Sequence, residues 1–170
     1  VGQFAVSIAM LVGVFVVTRQ VAFMRSQNPG FDRAQTLVLE GPNTLPDSTY
    51  AGAYSGFKNE ILQIPGVQSI AGSSSVPGEE IYWTNGFKRL KNTEEQRNTL
   101  YILGMDADFI KSYDLKMTAG RNFEITDKNT VMLNEAAAKL LGFASPEQAI
   151  GELVLRGRRD SFTVRGVVRN

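Results

Sequence analysis

The sequence predicts an α+β protein in which one N-terminal membrane-crossing helix precedes a two-lobed domain of mixed helices and strands. Two observations lead to this fold class. The chain opens with a long stretch that carries no charge, and the remainder alternates short strand-type runs with amphipathic helix patterns, separated by proline and glycine. Because 43% of its 170 residues are apolar, the chain can bury a core and fold.

The membrane-crossing helix is predicted from residues 1–17, which carry no charge and only Gln3 and Ser7 as clearly polar side chains. As a helix they span about 25 Å, slightly less than the roughly 30 Å hydrocarbon core, and the apolar pattern continues to Met24. We predict a transmembrane helix and stalk over residues 1–27, whose arginines reach the headgroups. The predicted anchor side chains are Phe4, Ile8, Leu11, Val14, Phe15 and Arg19.

Two other structures share this opening pattern: a buried core helix and the apolar part of a secretory signal. A signal needs a basic start and a small-residue cleavage site, and residues 19–23 do not resemble one. Orientation stays open at this point. Arg19, Arg25 and Arg33 follow the helix, on the side that the positive-inside rule makes cytoplasmic, whereas long domains translocate largely regardless of charge.

The composition excludes several classes of function. The formal net charge is only +1, so no overall field attracts nucleic acid, and we predict no nucleic-acid binding. Histidine and cysteine are both absent, which removes thiol nucleophiles, imidazole bases and the usual zinc ligands. The chain also lacks a glycine-rich phosphate loop followed by Lys-Ser or Lys-Thr. We therefore predict a protein that is not an enzyme, with no catalytic residue, metal site or cofactor.

The first lobe is predicted over residues 28–78, beginning at the turn Asn28-Pro29-Gly30. Residues 36–40 have the pattern of a buried strand. A helix follows from an N-cap at Asp47 or Ser48 and ends at Pro65-Gly66. Residues 67–75 are typical of a second, serine-rich strand. Strand, helix and strand in this order predict a split βαβ-type unit.

The second lobe is predicted over residues 79–170 and is smaller and richer in strands. Residues 99–105 alternate in a way that predicts a strand covered on both faces, followed by a short helix capped by Asp106. Residues 131–133 predict a strand, and Asn134 is expected to cap a helix over residues 135–141 that ends at Gly142.

The end of the chain predicts a short helix and a β-hairpin. Ser145, Pro146 and Gln148 form the pattern of a capping box around a helix that ends at Gly151. Residues 152–155 and 162–168 predict the two strands of the hairpin. In the second strand four alternating residues are expected to point inward: Phe162, Val164, Gly166 and Val168.

The best candidates for a partner contact are Glu79, Glu80 and Trp83, which lie in a polar, loop-like segment. The acidic pair could meet a cation or a partner, although a solvated pair explains it equally well. Trp83, the only tryptophan, could anchor a partner or a membrane, with core packing as the favoured alternative.

Three further motifs are expected to be structural. The basic turn Arg156, Arg158 and Arg159 predicts a solvated hairpin tip, with anionic lipid or substrate as the alternative. The segment 120–123 is expected to tie a turn to neighbouring carbonyls. The serine run 73–75 has no lysine at a telling offset that would support Ser-Lys chemistry.

A series of short motifs extends over nearly the whole sequence: Gln3 to Ile8, Asn28 to Asp32, Ile64 to Val67, Ala119 to Phe123, Leu133 to Ala137, Gly142-Phe143 with Ser145-Pro146-Glu147, Ile150-Gly151 and Val164 to Val168. In the order and spacing of these motifs, the chain resembles the MacB-like periplasmic core domain of FtsX-type ABC transporter permeases, and especially the second such domain of a two-domain permease.

The resemblance implies an inner-membrane anchor and a two-lobed periplasmic domain that relays ATP-driven helix movement to export or lipoprotein release. It also implies a separate ATP-binding subunit, a dimeric permease, and a partner protein in the periplasm or outer membrane. We expect both ends of the chain to be truncated, so that the segment returning to the first lobe is missing. The alternative is the extracytoplasmic ligand-sensing domain of a membrane-anchored signalling receptor, which full-length sequence would distinguish.

Overall fold

The computed structural model of the chain describes residues 2–26, 35–41, 47–124 and 126–170. The chain divides into two compact units, Val1–Asp32 and Arg33–Asn170. Some of the predictions above lie outside the described residues: the turn Asn28-Pro29-Gly30, Arg33, and the side chains of Arg25, Asp47 and Ser48.

The first unit is built on one long helix, α1, at Gly2–Ser26, which confirms the predicted N-terminal helix. Two of its hydroxyl side chains bond to the backbone within the helix. The Ser7 hydroxyl donates to the carbonyl of Gln3 at 3.0 Å, and the Thr18 hydroxyl donates to that of Val14 at 2.8 Å. Such backbone-directed bonds remove the cost of placing a hydroxyl in an apolar environment.

The second unit contains a six-stranded sheet and four short α-helices among its described residues. The strands run in the order β2-β1-β5-β6-β3, and β4 pairs with β6 in parallel. All other pairings are antiparallel. The elements are α2 (Asp47–Ile61), β1 (Thr84–Arg89), a 3₁₀ turn (Glu94–Gln96), β2 (Asn98–Tyr101), α3 (Phe109–Ser112), β3 (Met117–Gly120), β4 (Thr130–Asn134), α4 (Glu135–Leu140), α5 (Pro146–Ala149), β5 (Leu153–Arg156) and β6 (Asp160–Val168). The α+β class is therefore confirmed.

The core lies where the sheet meets the segment from α4 to α5. Val154, Val164 and Val167 of the sheet are fully buried against Leu141, Phe143 and their neighbours. Two predicted helix ends are confirmed here. The side chain of Asn134 accepts a hydrogen bond from the amide of Ala137 at 2.9 Å, and Gly142 follows α4 with φ +84°.

The hairpin of β5 and β6 is confirmed, but the inward pattern predicted for β6 is wrong at its last position. Val164 and Gly166 are buried as predicted, whereas Val168 is only partly buried and Val167 is fully buried. The parallel register shifts between Val131↔Val164 and Met132↔Gly166, which leaves Arg165 as an extra residue. A bulge of this kind changes which side chains face the core beyond it.

Two strands predicted in the first lobe do not form. Residues 36–40 have no strand geometry, and Leu37 is 81% exposed. Residues 67–75 form only one isolated bridge, from Ser73 to Met105. A strand needs a continuous ladder, and these segments form none among the described residues. Helix α2 is therefore the one element of the predicted βαβ unit that forms there.

Two finer predictions are also wrong. β2 is covered on one face only, because Tyr101 is 72% exposed. Ser145 precedes α5 with Pro146 in the first turn, but its side chain makes no capping bond to the backbone, so the capping box is not closed. Asp106 does cap the turn that leads into α3, because its side chain accepts a hydrogen bond from the amide of Asp108 at 3.2 Å.

Candidate functional site

Helix α1 holds the predicted anchor. Its segment Gly2–Met24 is 23 residues long, and none of its most apolar stretch is buried in the described structure. At about 1.5 Å per residue it reaches about 35 Å, enough to cross a hydrocarbon core. The anchor side chains Phe4, Ile8, Leu11, Val14 and Phe15 are all exposed, and the guanidinium of Arg19 lies 5.3 Å from the ring centre of Phe15.

The three residues predicted to contact a partner all lie at the surface. Glu79 and Glu80 are exposed, and their carboxylates have no partner among the described residues. Trp83 is 72% exposed, so the prediction of core packing is wrong. Its carbonyl accepts a hydrogen bond from the amide of Ile102 at 2.8 Å, which fixes the segment beside β2.

Two tyrosines that the sequence analysis did not single out extend this exposed aromatic surface. Tyr82 is 79% exposed, and Tyr101 of β2 is 72% exposed. Tyr101 lies opposite Thr84 in the β1–β2 ladder, one position from the pair of Ile102 with Trp83. Trp83 and Tyr101 are distant in sequence and become neighbours only through the register of the β1–β2 ladder. That register cannot be predicted from the sequence of either strand alone.

The sequence analysis also missed a polar cluster that joins helix α2 to the loop before α3. We call Tyr54, Lys58, Asp106 and Asp108 the ionic clasp. The Tyr54 hydroxyl donates to Oδ2 of Asp106 at 2.7 Å, and Nζ of Lys58 lies 2.8 Å from the same oxygen and 2.5 Å from Oδ2 of Asp108. The side chains of Lys58 and Asp106 are only 17% and 22% exposed.

The clasp shifts the ionisation of its members. Burial alone would raise the pKa of Asp106, but hydrogen bonds from Lys58 and Tyr54 outweigh it and hold that pKa below its usual value. Burial, together with the bond to Asp106, raises the pKa of Tyr54 to about 12. For Lys58, burial opposes the charged form, yet the two carboxylates raise its pKa above the usual value. At neutral pH the clasp is therefore an ammonium bound by two carboxylates.

The other motifs have structural contacts. Gly120 has φ +74°, and a Cβ there would lie 2.2 Å from the carbonyl oxygen of Arg165. Asn122 donates to the carbonyl of Ala107 at 2.6 Å, which confirms that this segment ties a turn to neighbouring carbonyls. In the serine run, Ser73 bonds to the carbonyl of Ser75, and Ser74 accepts from the amide of Gly104.

A second ionic group supports the turn after Gly120. Asp127, whose side chain is 5% exposed, contacts Arg121 at 2.8 Å and Arg165 at 3.2 Å. The hydrogen bond from Arg121 is the main reason why the pKa of Asp127 lies below its usual value. This group holds β6 against the turn.

In the basic turn, Arg156 is paired with other side chains, whereas Arg158 and Arg159 are exposed. Arg156 pairs with Asp160 at 2.9 Å and lies 4.8 Å from the ring centre of Phe162. Arg158 and Arg159 are exposed and have no partner in the part of the chain that the structure describes. Across the same residues, no group of three or more Asp or Glu side chains is placed to hold a metal ion.

Helix α1 is long and apolar enough to cross a bilayer, and an α+β domain follows it in the chain. This combination is typical of a membrane-anchored protein. The family model of the MacB-like periplasmic core domain matches residues 4–170. The chain belongs to this family. None of the curated proteins compared with the chain matches it.

Three solved structures are similar to this chain. The periplasmic region of MacB from Actinobacillus actinomycetemcomitans has 19% identity and a TM-score of 0.48, covering 68% of this chain and 50% of that one. A domain of a proposed permease protein from Porphyromonas gingivalis has 19% identity and a TM-score of 0.50, covering 66% and 48%. The extracellular domain of the noncanonic ABC-type transporter YknZ from Gram-positive bacteria has 16% identity and a TM-score of 0.49, covering 66% and 55%.

These similarities bear on the fold alone. The chain spans about half the length of the solved structures that it matches. The P. gingivalis domain, at a TM-score of 0.50, supports the α+β fold described above.

Proposed function

We propose that the chain is the periplasmic part of an ABC transporter permease, anchored in the inner membrane by α1. In this proposal a separate ATP-binding subunit moves the membrane helices of a dimeric permease. The domain transmits that movement to export or lipoprotein release and performs no chemistry itself. One observation carries the proposal: an exposed, membrane-length helix lies within the same family match as the folded domain. The match also supports the permease over the receptor alternative.

The proposal includes two lobes, residues 28–78 and 79–170, that move together. The ionic clasp would join them, because Lys58 of the first lobe bonds to Asp106 and Asp108 of the second. An ion pair that is largely buried resists separation more than an exposed one does, so a displacement of α2 would be passed to the sheet.

Residue-by-residue labelling tests the membrane topology. The chain contributes no cysteine, so Ile8→Cys and Arg158→Cys each introduce a single thiol within it. A membrane-impermeant maleimide should label Arg158→Cys in intact cells and label Ile8→Cys only after detergent is added. Labelling of Arg158→Cys only after lysis would place the domain in the cytoplasm and overturn the proposal.

Coupling is tested in the full-length permease, reconstituted with its ATP-binding subunit in proteoliposomes. Lys58→Met should leave ATP hydrolysis near the parent rate and strongly reduce substrate release, because the two lobes would no longer move together. Lys111→Met, at an exposed lysine of α3, is the matched control and should change neither rate. Equal loss of hydrolysis and release, or no loss of release, would contradict the mechanical role.

A further inference from the structure

Within the described ranges, no strand pairs with the outer edge of β2. The amide of Ile102 donates to the carbonyl of Trp83, and the ladder register places Leu100 opposite Asn85 and Asn98 opposite Phe87. In an antiparallel ladder, bonded and non-bonded pairs alternate. The backbone groups of Thr99 and Tyr101 therefore point away from β1.

Bonds on the other side of β1 support this alternation. The carbonyl of Gly86, the residue opposite Thr99, accepts from the amide of Gly157, which follows β5. Gly86 thus uses its backbone toward β5 and not toward β2. Among the described residues, nothing bonds to the backbone of Thr99 or Tyr101.

β2 is a short edge strand without three of the devices that protect such an edge. Its four residues, Asn98–Tyr101, include no lysine, no proline and no bulge. The nearest cation, Arg97, is turned back across the sheet, where it bonds to the carbonyl of Gly86 at 2.9 Å and to Glu94 at 2.8 Å. An extended peptide could therefore add to this edge through main-chain hydrogen bonds.

Two segments next to the edge carry free carboxylates. Glu95, in the 3₁₀ turn before β2, is exposed and has no partner among the described residues, whereas its neighbour Glu94 is bound by Lys88 and Arg97. Beyond the other end of β2, Glu80 lies three residues from Trp83, within about 10 Å along the chain. Carboxylates thus flank the strand on both sides.

Exposed aromatic rings near the edge, like the carboxylates, favour the binding of cationic groups. Tyr82, Trp83 and Tyr101 are each more than 70% exposed, and aromatic faces attract ammonium and guanidinium groups. The free cations Arg158 and Arg159 follow β5, and β1 lies between β5 and β2. We call Asn98–Tyr101 with Glu79, Glu80, Tyr82, Trp83 and Glu95 the β2 edge surface.

We propose that the β2 edge surface accepts an extended segment of a partner protein as an added strand, and that this segment carries lysine or arginine at its ends. The segment would bond to the outward groups of Thr99 and Tyr101, while its cations meet the flanking carboxylates and aromatic rings. We thereby add the chemistry of the partner to the proposed function. The inference rests on that proposed function, because the edge must face the extracytoplasmic side to meet the partner.

The test uses the full chain in detergent micelles and a pair of short synthetic peptides. Both have the same alternating Thr-Val core, one flanked by lysines and the other by glutamates. Trp83, the single tryptophan of the chain, reports binding through its fluorescence. The lysine peptide should shift the emission saturably and bind about tenfold more tightly than the glutamate peptide. Equal binding of the two peptides, or binding of neither, overturns the proposal.

Two changes separate strand addition from simple charge attraction. Thr99→Pro removes only an outward amide, so it should abolish binding while leaving the β1 ladder intact. If this variant fails to fold, a lysine peptide methylated on alternate amide nitrogens provides the same test on the native chain, because it keeps the charge and cannot pair. Undiminished binding in either case overturns strand addition.

Carboxylate variants test the charge preference. Glu79→Gln with Glu80→Gln should weaken the lysine peptide about fivefold, since each exposed ion pair is worth about 0.5 kcal/mol. Glu60→Gln, at an exposed carboxylate of α2, is the matched control and should have no effect.

The oligomeric state of the chain tests whether the edge binds a second copy of the same protein. If the chain self-associates and Thr99→Pro abolishes that association, the edge is an interface between two copies, and the proposal of a partner protein is overturned. Failed peptide binding with intact ATP-driven release would reject this inference alone and leave the proposed function standing.

Discussion

The sheet and the region around α2 are stabilised in different ways. In the sheet region, residues 84–168, the packed valines and Leu141 are at most 1% exposed. In the α2 region, residues 35–41 and 47–75, Leu37 is 81% and Phe57 is 42% exposed, and the strongest contacts of α2 are those of the ionic clasp. Apolar burial therefore stabilises the sheet region, whereas directional polar bonds position α2.

The largest difference between the two regions should come from removing one apolar side chain in each. Leu141→Ala leaves a cavity in the packed core and should lower the free energy of unfolding by about 3 kcal/mol. Leu37→Ala, the matched change at an exposed leucine, should cost less than about 0.5 kcal/mol. Denaturant unfolding of the chain in detergent measures both. Similar losses would show that the α2 region has an apolar core of its own.

A smaller effect is expected at the turn that closes the sheet region. Gly120→Ala combines a positive φ with a Cβ only 2.2 Å from a backbone oxygen and should cost about 2–3 kcal/mol. Gly142→Ala has the same backbone restriction but open space around its Cβ, so about 1 kcal/mol is expected. The difference between the two unfolding free energies isolates the close contact. If they were equal, the turn would be free to move.

The third effect is local to α2. Lys58→Met leaves Asp106 and Asp108 without their shared cation and should destabilise α2 by about 1.5 kcal/mol. Amide hydrogen exchange should accelerate in residues 47–61 and stay unchanged in β5 and β6. Lys111→Met should alter neither. Faster exchange throughout the sheet would show that the two regions unfold as one.

The smallest effect is a pH dependence confined to the clasp. Because the pKa of Asp106 is lower in the folded chain than in the unfolded one, its contribution is complete above the unfolded value of about 4 and is lost as pH falls through the folded value. The protection factors of the α2 amides, which correct for the intrinsic slowing of exchange in acid, should therefore fall on acidification below about pH 4. Asp106→Asn should remove this dependence, and its persistence would assign the acid response to other carboxylates.

Local signals predicted much of the sheet region. Asn134 with Gly142 defined α4, and the apolar runs around residues 131–133 and 162–168 defined β4 and β6. The N-terminal helix was equally clear, because a long uncharged stretch that continues as an apolar pattern to Met24 strongly favours a helix.

The errors arose where a distant partner decides the outcome. Residues 36–40 have strand composition, but a strand also requires a ladder. The bulge at Arg165 depends on the register with β4, which no pattern within β6 encodes. In the ionic clasp, Asp106 and Asp108 lie 48 and 50 residues from Lys58 in sequence. The sequence around Lys58 therefore could not predict which carboxylates it binds. The same holds for the β2 edge surface, where only the register places Trp83 beside Ile102.

Strand β6 has a mechanical consequence for a domain proposed to transmit force. Its nine residues pair with β5 over the first half, with β3 over the second, and with β4 in parallel along much of its length. Tension applied along β6 would be shared among three neighbours at once, so it would not peel one ladder open bond by bond. The sheet would then behave as a stiff plate, and elastic deformation during a transport cycle would concentrate outside it.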